Sequence, residues 1–305
     1  MKPDQQPHLP QQRLPESPHD TLAETAASGS TAAFPWVTVL VIGLCLGLAY
    51  APVLKLLVRD WIIDENVSHG FLVPLVSGYI VWRRRHELAR LPVRRSRLGL
   101  VVMAWAAAQL YVAVLGAELF LARTAFLLSL GGALLYLGGW SLIRALAFPL
   151  LLLMFMIPLP AILYNQITFP LQLLASRMAE ATLSLLAIPV LREGNILELP
   201  NQRLSVVEAC SGIRSLLSLG FLALVYGYFL ERRGWVRVTL FVLTVPIAVF
   251  ANSLRVSITG LLTQVNPQLA EGFFHFAEGL VIFLSALVLL VLAHRLLQLL
   301  IRVTT

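Results

Sequence analysis

Long apolar runs, broken by short polar segments, dominate this chain. They fall at 36–54 and near 68–82, 98–116, 119–137, 141–158, 211–230, 238–262 and 276–293. Each reaches or approaches the roughly 20 residues that a helix needs to cross a bilayer. The pattern predicts an all-α integral membrane protein of about eight transmembrane helices. Residues 1–33 are rich in Pro, Gln, Ser, Thr and Ala with no periodic apolar face, which predicts a disordered polar tail ahead of a transmembrane domain spanning 34–305. The 36–54 run is long for a signal-peptide core and has no basic segment close by, so it is expected to remain as the first span.

Between 161 and 190 the periodicity changes. Gln166, Gln172, Ser176, Arg177, Glu180 and Ser184 share an arc of about 140°, with Ile167, Leu171, Leu174, Met178 and Leu185 opposite. The alternatives are an interfacial helix on the outer face or a re-entrant pair of half-helices. Further on, Ile196-Leu197-Glu198-Leu199 and Leu204-Ser205-Val206-Val207 flank Pro200-Asn201-Gln202-Arg203, which predicts a short hairpin. Open strand edges cannot face lipid, so the hairpin belongs in the outer aqueous layer or under protein.

Charge adds orientation. Arg83, Arg84, Arg85, Arg90, Arg94, Arg95 and Arg97 form one group, Arg232, Arg233 and Arg237 a second, and His294, Arg295 and Arg302 a third. By the positive-inside rule all three are cytoplasmic, which forbids a crossing at 161–190 and puts both termini inside. With 58% hydrophobic residues, 13% charged and a mean hydropathy of +0.80, the chain lies far from soluble domains, where about a quarter of residues are charged. The net charge of +7 sits in those loops rather than on one face, so nucleic acid is not an expected partner and the bilayer is. The two cysteines, Cys45 and Cys210, lie in the middle of one apolar run and at the edge of another, a poor arrangement for a disulfide.

Candidate chemistry gathers at the outer ends of three predicted helices. Measured from the cytoplasmic charges at the helical rise, Cys210, Arg255 and His275 lie at roughly 33, 26 and 28 Å, all near the outer rim of a core about 30 Å thick. A cysteine at a helix start, with Ser211 and Gly212 next to it and Arg214 on nearly the same face, sits where thiolate is favoured over thiol. Ordinary readings exist for each: a small core cysteine, an arginine reaching head groups, a histidine in an aromatic belt. Together they are the parts of an acyl transfer through a thioester. Cys210 attacks a carbonyl, His275 protonates the leaving amine and Arg255 stabilises thiolate or oxyanion. Supporting candidates are Glu208 and Arg214, which orient the thiol, bind substrate or simply pair with each other; Asn252, in Asn252-Ser253-Leu254-Arg255; and His69, either lining the way to the site or structural. Glu118, Arg123 and Glu278 are expected near the outer face, paired with one another or with substrate. No zinc-protease His-Glu motif, phosphate loop or Gly-x-Ser-x-Gly elbow occurs, so neither metal nor cofactor is expected.

Ala209-Cys210-Ser211-Gly212-Ile213-Arg214-Ser215, then Asn252-Ser253-Leu254-Arg255, then His275 with Gly279 four residues on, resembles the exosortase branch of the exosortase/archaeosortase family. Ser68-His69-Gly70-Phe71-Leu72-Val73-Pro74 and the arginines at 83–85 resemble its early span. The similarity runs from about residue 36 to about residue 300, and the polar N-terminal tail is not part of it. The resemblance implies Cys210, Arg255 and His275 as catalytic, where the archaeal branch usually has a second arginine in place of the histidine. It also implies a transpeptidase of the bacterial inner membrane, its site facing the periplasm. The implied substrates are secreted proteins with a C-terminal sorting tail: a Pro-Glu-Pro-like motif, an apolar span and a basic end. Cleavage in such systems is linked to surface attachment and exopolysaccharide. The competing reading is a transporter or proton-coupled carrier, with His69, Arg255, His275 and Glu278 along a polar path. A carrier calls for broken helices at the midplane and internal repeats, whereas these polar groups gather at one rim.

Overall fold

The computed structural model describes residues 36–92, 94–200, 202–206, 212–265 and 272–304. Nine α-helices and a small sheet make up the described residues. They are α1 (Trp36–Ile63), α2 (Leu72–Arg83), α3 (Arg85–Ala89), α4 (Leu98–Leu115), α5 (Leu119–Leu153), α6 (Ala161–Leu185), strands β1 (Leu191–Glu193), β2 (Ile196–Leu199) and β3 (Gln202–Ser205), then α7 (Gly212–Leu230), α8 (Gly234–Val265) and α9 (Gly272–Thr304). A 3-10 turn, Glu65–Phe71, joins α1 to α2.

Because the helices are apolar all round, hydrophobicity alone cannot choose their buried faces; side-chain size does. In α4 the buried residues are Gly99, Ala106 and Ala113, one stripe at seven-residue spacing. A Cβ on Gly99 would lie 2.4 Å from the backbone nitrogen of Tyr136 and 2.5 Å from the carbonyl oxygen of Gly132, so α4 and α5 touch backbone to backbone. Large side chains point outward instead: Val37, Leu40, Leu44 and Leu48 on α1 are all exposed, as lipid-facing residues are.

The helix α5 is one helix only by its hydrogen bonding. Near its start Arg123 pairs with Asp60, and just past its end the Met156 carbonyl accepts from the indole N–H of Trp61 at 2.9 Å. An unbroken rod would hold residues 123 and 156 roughly 50 Å apart, yet both meet adjacent residues of α1. The reversal is at Gly139, with φ 69° and ψ −166°, a conformation essentially reserved for glycine. There a Cβ would lie 2.1 Å from the Arg94 carbonyl oxygen. Segments 119–138 and 140–153 therefore run in opposite directions, as the separate apolar runs at 119–137 and 141–158 predict. Gly139→Ala is expected to cost about 3 kcal/mol, combining the disallowed backbone with overpacking, and to lower the melting temperature of the purified protein measurably.

Among the described residues five helices are long and apolar enough to cross a membrane, α5 being counted once; the stretch 214–230 is apolar but shorter. With 12 residues, α2 also falls short of a crossing. An all-α membrane fold stands, but eight full crossings do not follow from these lengths.

Polar contacts sort the bundle into two poles. At one, Arg84 donates to the Ala145 carbonyl at 2.7 Å, and Glu231, between α7 and α8, receives the backbone N–H groups of Arg232 and Arg233 at 2.8 and 2.9 Å. The side chain of His294 from α9 lies 3.3 Å from the same carboxylate, and Arg237 clamps the Glu231 carbonyl. The backbone N–H of Arg233, then burial working the opposite way, then His294 set the balance, and Glu231 titrates below its ordinary 4.5. A depressed carboxylate stabilises the fold above its ordinary pKa and loses that contribution as pH falls through the depressed value. Glu231→Gln is thus expected to lower stability by about 1.5–3 kcal/mol at neutral pH. The gap from wild type should close below about pH 4.5 in melting curves.

At the other pole lies the sheet, antiparallel in the order β1-β2-β3. The hairpin predicted from sequence is present, but its second strand begins two residues earlier, with Leu199 paired to Gln202, and β1 is an additional strand. Gly194, at φ 66°, makes the β1–β2 turn. The helix α6 is continuous, which settles its form against a pair of half-helices. Gln166, Arg177 and Ser184 of its polar arc are exposed, but the rest of the arc is covered by protein. Ser176 is fully buried and donates to the Gly194 carbonyl at 3.1 Å, Glu180 pairs with Arg192, and Gln172 accepts from Asn195. The arc is the seat of the sheet, whose Leu197, Leu199 and Leu204 share a core with Leu183 of α6 and Val256 of α8.

Candidate active site

At the sheet-bearing pole three helices meet. Ser215 from the first turn of α7, Asn252 and Arg255 from α8 and Gly279 from α9 line one cavity of about 10 Å3, room for about one water. Leu219, Ala248, Ala251 and Ile282, which also line that cavity, belong to an apolar cluster that fixes the three helices against one another. The convergence follows from sequence: small residues on α8 and α9, among them Ala248, Ala251, Gly279 and Ala286, let the rods approach.

The guanidinium of Arg255 lies along the backbone of α9. A Cβ on Gly279 would sit 3.1 Å from Nη2, 3.3 Å from Cζ and 3.4 Å from Nη1 of Arg255. Glycine at this position leaves the space that the planar group occupies. One turn further along α8, Thr259 donates to both oxygens of Glu278 at 2.9 and 3.0 Å, so the carboxylate next to Gly279 is held in place. Gly279→Ala asks only a small shift of a flexible side chain. Gly279→Val should displace the guanidinium, lowering activity about tenfold to 100-fold with unchanged abundance in membranes.

His275 belongs to the first turn of α9, one turn before Gly279. The His275 side chain is outside the described part, and Cys210 and Glu208 lie outside the described residues. Cys210 stands two residues before α7 begins, and the described start of that helix carries Ser215 into the cavity with Arg255 and Gly279.

Arg214 has a different described partner from the one weighed in sequence: its Nη1 lies 2.7 Å from Glu65, on the 3-10 turn. That ion pair ties the α1–α2 connection to the start of α7, a contact between residues far apart in the chain that spacing cannot reveal. The same turn carries His69, whose ring stands 6.5 Å from that of Phe221 and has both nitrogens buried. Its neighbour Gly70 is packed under Trp61 so tightly that a Cβ would meet the indole at 2.3 Å. Asn252, 8% exposed, stands between the Arg255 cavity and a second one of about 20 Å3 lined by Thr168 and Gln172 of α6.

The pairing expected among Glu118, Arg123 and Glu278 is not what forms. Glu118 caps α5 by accepting from the Leu121 N–H, Arg123 pairs with Asp60, and Glu278 takes the Thr259 hydroxyl. Glu65 and Thr259 are the residues that sequence reasoning missed. Thr259 stands one turn from Arg255, a signal that was available; Glu65 carried none. Cys45 is a free, exposed thiol on α1, and among the described residues no three His, Cys, Asp or Glu side chains converge on a metal position.

No curated protein and no solved structure is significantly similar to the chain. A family model described as transmembrane exosortase does match, over residues 61–292, more than half of the 305 residues. That range takes in the 3-10 turn, the sheet and the converging ends of α7, α8 and α9. The chain belongs to the transmembrane exosortase family of membrane-embedded sorting transpeptidases.

Proposed function

We propose that this protein is a cysteine transpeptidase that cleaves the C-terminal sorting tails of secreted proteins at the outer rim of the bacterial inner membrane. The observation that carries the reading is the Arg255 guanidinium lying against Gly279, one turn from His275, in a cavity shared with Ser215 at the start of the helix that follows Cys210. The thiol proton of Cys210 passes to His275 as sulfur attacks the scissile carbonyl carbon. Arg255 stabilises the oxyanion that forms. Collapse of the tetrahedral intermediate breaks the C–N bond, and His275 returns the proton to the departing amine. The thioester is then resolved by an acceptor nucleophile. Glu208, Arg214 and Asn252 support the site by orienting the thiol or holding substrate backbone.

The tail is of the Pro-Glu-Pro type, with an apolar span and a basic end that stays in the cytoplasm, which positions the scissile bond at the depth of Cys210. The arginine-rich pole faces the cytoplasm and the sheet-bearing pole the periplasm. Cleavage is coupled to surface attachment and exopolysaccharide, as the family resemblance implies. The decisive experiment is to trap a Cys210-linked substrate fragment in membranes and weigh the intact protein. An adduct of the mass of the tail-trimmed substrate supports the mechanism; an adduct elsewhere on the chain, or cleavage that proceeds with Cys210 unmodified throughout, overturns it.

A further inference from the structure

At the arginine-rich pole, away from the candidate active site, Arg83, Arg84, Arg237, Tyr228, Phe229 and Glu87 surround a pocket of about 360 Å3. That size falls in the range of small-ligand sites, roughly 300–1,000 Å3. The walls come from the α2–α3 junction, the end of α7 and the start of α8, so the fold adds Arg237 to the neighbouring Arg83 and Arg84. Three guanidinium groups face one carboxylate. Arg84 is held by Glu87 at 2.9 Å and by the Ala145 carbonyl, and Arg237 by the Glu231 carbonyl, which fixes both heads. The Arg83 guanidinium lies 5.5 Å over the Phe229 ring and that of Arg237 lies 5.6 Å over Tyr228, so aromatic faces floor the site.

We propose that this pocket binds a phosphate-bearing anion, supplied by the headgroup of an acidic phospholipid. Rigid guanidinium forks match phosphate geometry, and basic pockets between membrane helices on the cytoplasmic side take such headgroups. Lipid is favoured over a soluble phosphate because the rim is apolar and faces outward. Trp82, Leu230 and Val238, on the same three elements, are 59%, 59% and 63% exposed, and Tyr79 and Phe229 continue the surface toward the bundle's middle. A diacyl lipid would place its phosphate among the arginines and its chains along that flank. The site does not depend on the transpeptidase reading.

The test uses the full chain in detergent, titrated with phosphatidylglycerol and with phosphatidylcholine of the same acyl chains. Bound lipid is read by native mass spectrometry. Inorganic phosphate and glycerol 3-phosphate serve as soluble competitors. One saturable phosphatidylglycerol site is expected, with phosphatidylcholine much weaker. Arg83→Gln should weaken phosphatidylglycerol about fivefold, the contribution of one cation at an anionic headgroup. Glu87→Gln should tighten it, by up to about threefold, a direction that misfolding cannot imitate. Arg302→Gln, at the same pole but outside the pocket, should bind like wild type. Equal binding of the two lipids, an unchanged Arg83→Gln variant, or weakening by Glu87→Gln would overturn the proposal. Displacement of phosphatidylglycerol by millimolar inorganic phosphate would overturn the lipid source.

Discussion

Replacing Cys210 by alanine is expected to bring tail cleavage to background, a loss of at least about 10^4-fold, with the protein still inserted at wild-type abundance. Loss of a covalent nucleophile removes the intermediate itself, so no other group in the site compensates. Serine in its place should do little better, since a hydroxyl lacks the low pKa that a thiol gains beside a cation and a helix N-terminus. The measurement is the ratio of full-length to trimmed substrate in membranes expressing each variant. Wild-type trimming by Cys210→Ala would rule out thioester chemistry at this residue.

The second large effect is expected at Arg255. Arg255→Lys retains the charge and loses the planar fork that lies on Gly279, so it separates electrostatics from geometry. Removing one oxyanion-stabilising donor costs about 10²–10³-fold in kcat, or roughly 2.7–4 kcal/mol. If Arg255 acts only in the transition state, kcat and kcat/KM should fall together with KM unchanged. A rise in KM alone would mean that Arg255 holds the substrate in its ground state and takes no part in the step. Asn252, in the same cavity wall, provides the contrast: under the proposed mechanism it only supports the site, and Asn252→Ala should weaken activity less than Arg255→Lys does.

Much of this architecture could be read in advance wherever one helix reports on itself. Apolar length located the rods, the arginine groups located one pole, and the helical rise put Cys210, Arg255 and His275 at a common depth; of these the structure describes the side chain of Arg255, which lies against Gly279, one turn beyond His275. The polar arc of α6 was also legible as an arc, but its partner was not. Amphipathicity says that one face avoids lipid; it does not say whether water or three short strands lie against it. The same limit applies to Arg214. Its charge asks for a partner, and residues from the next turn to the far side of the chain satisfy that request equally well on paper.

Hydropathy and charge spacing by themselves determined that this is a helical membrane protein, because both depend on free energies of transfer that each segment meets alone. Only the tertiary structure decided that Glu65 reaches Arg214, that β1 completes a sheet on α6, and that Arg237 joins the neighbouring Arg83 and Arg84 around one pocket. Those outcomes depend on which small residues let which backbones approach, and close packing is a property of pairs of surfaces that no single segment contains.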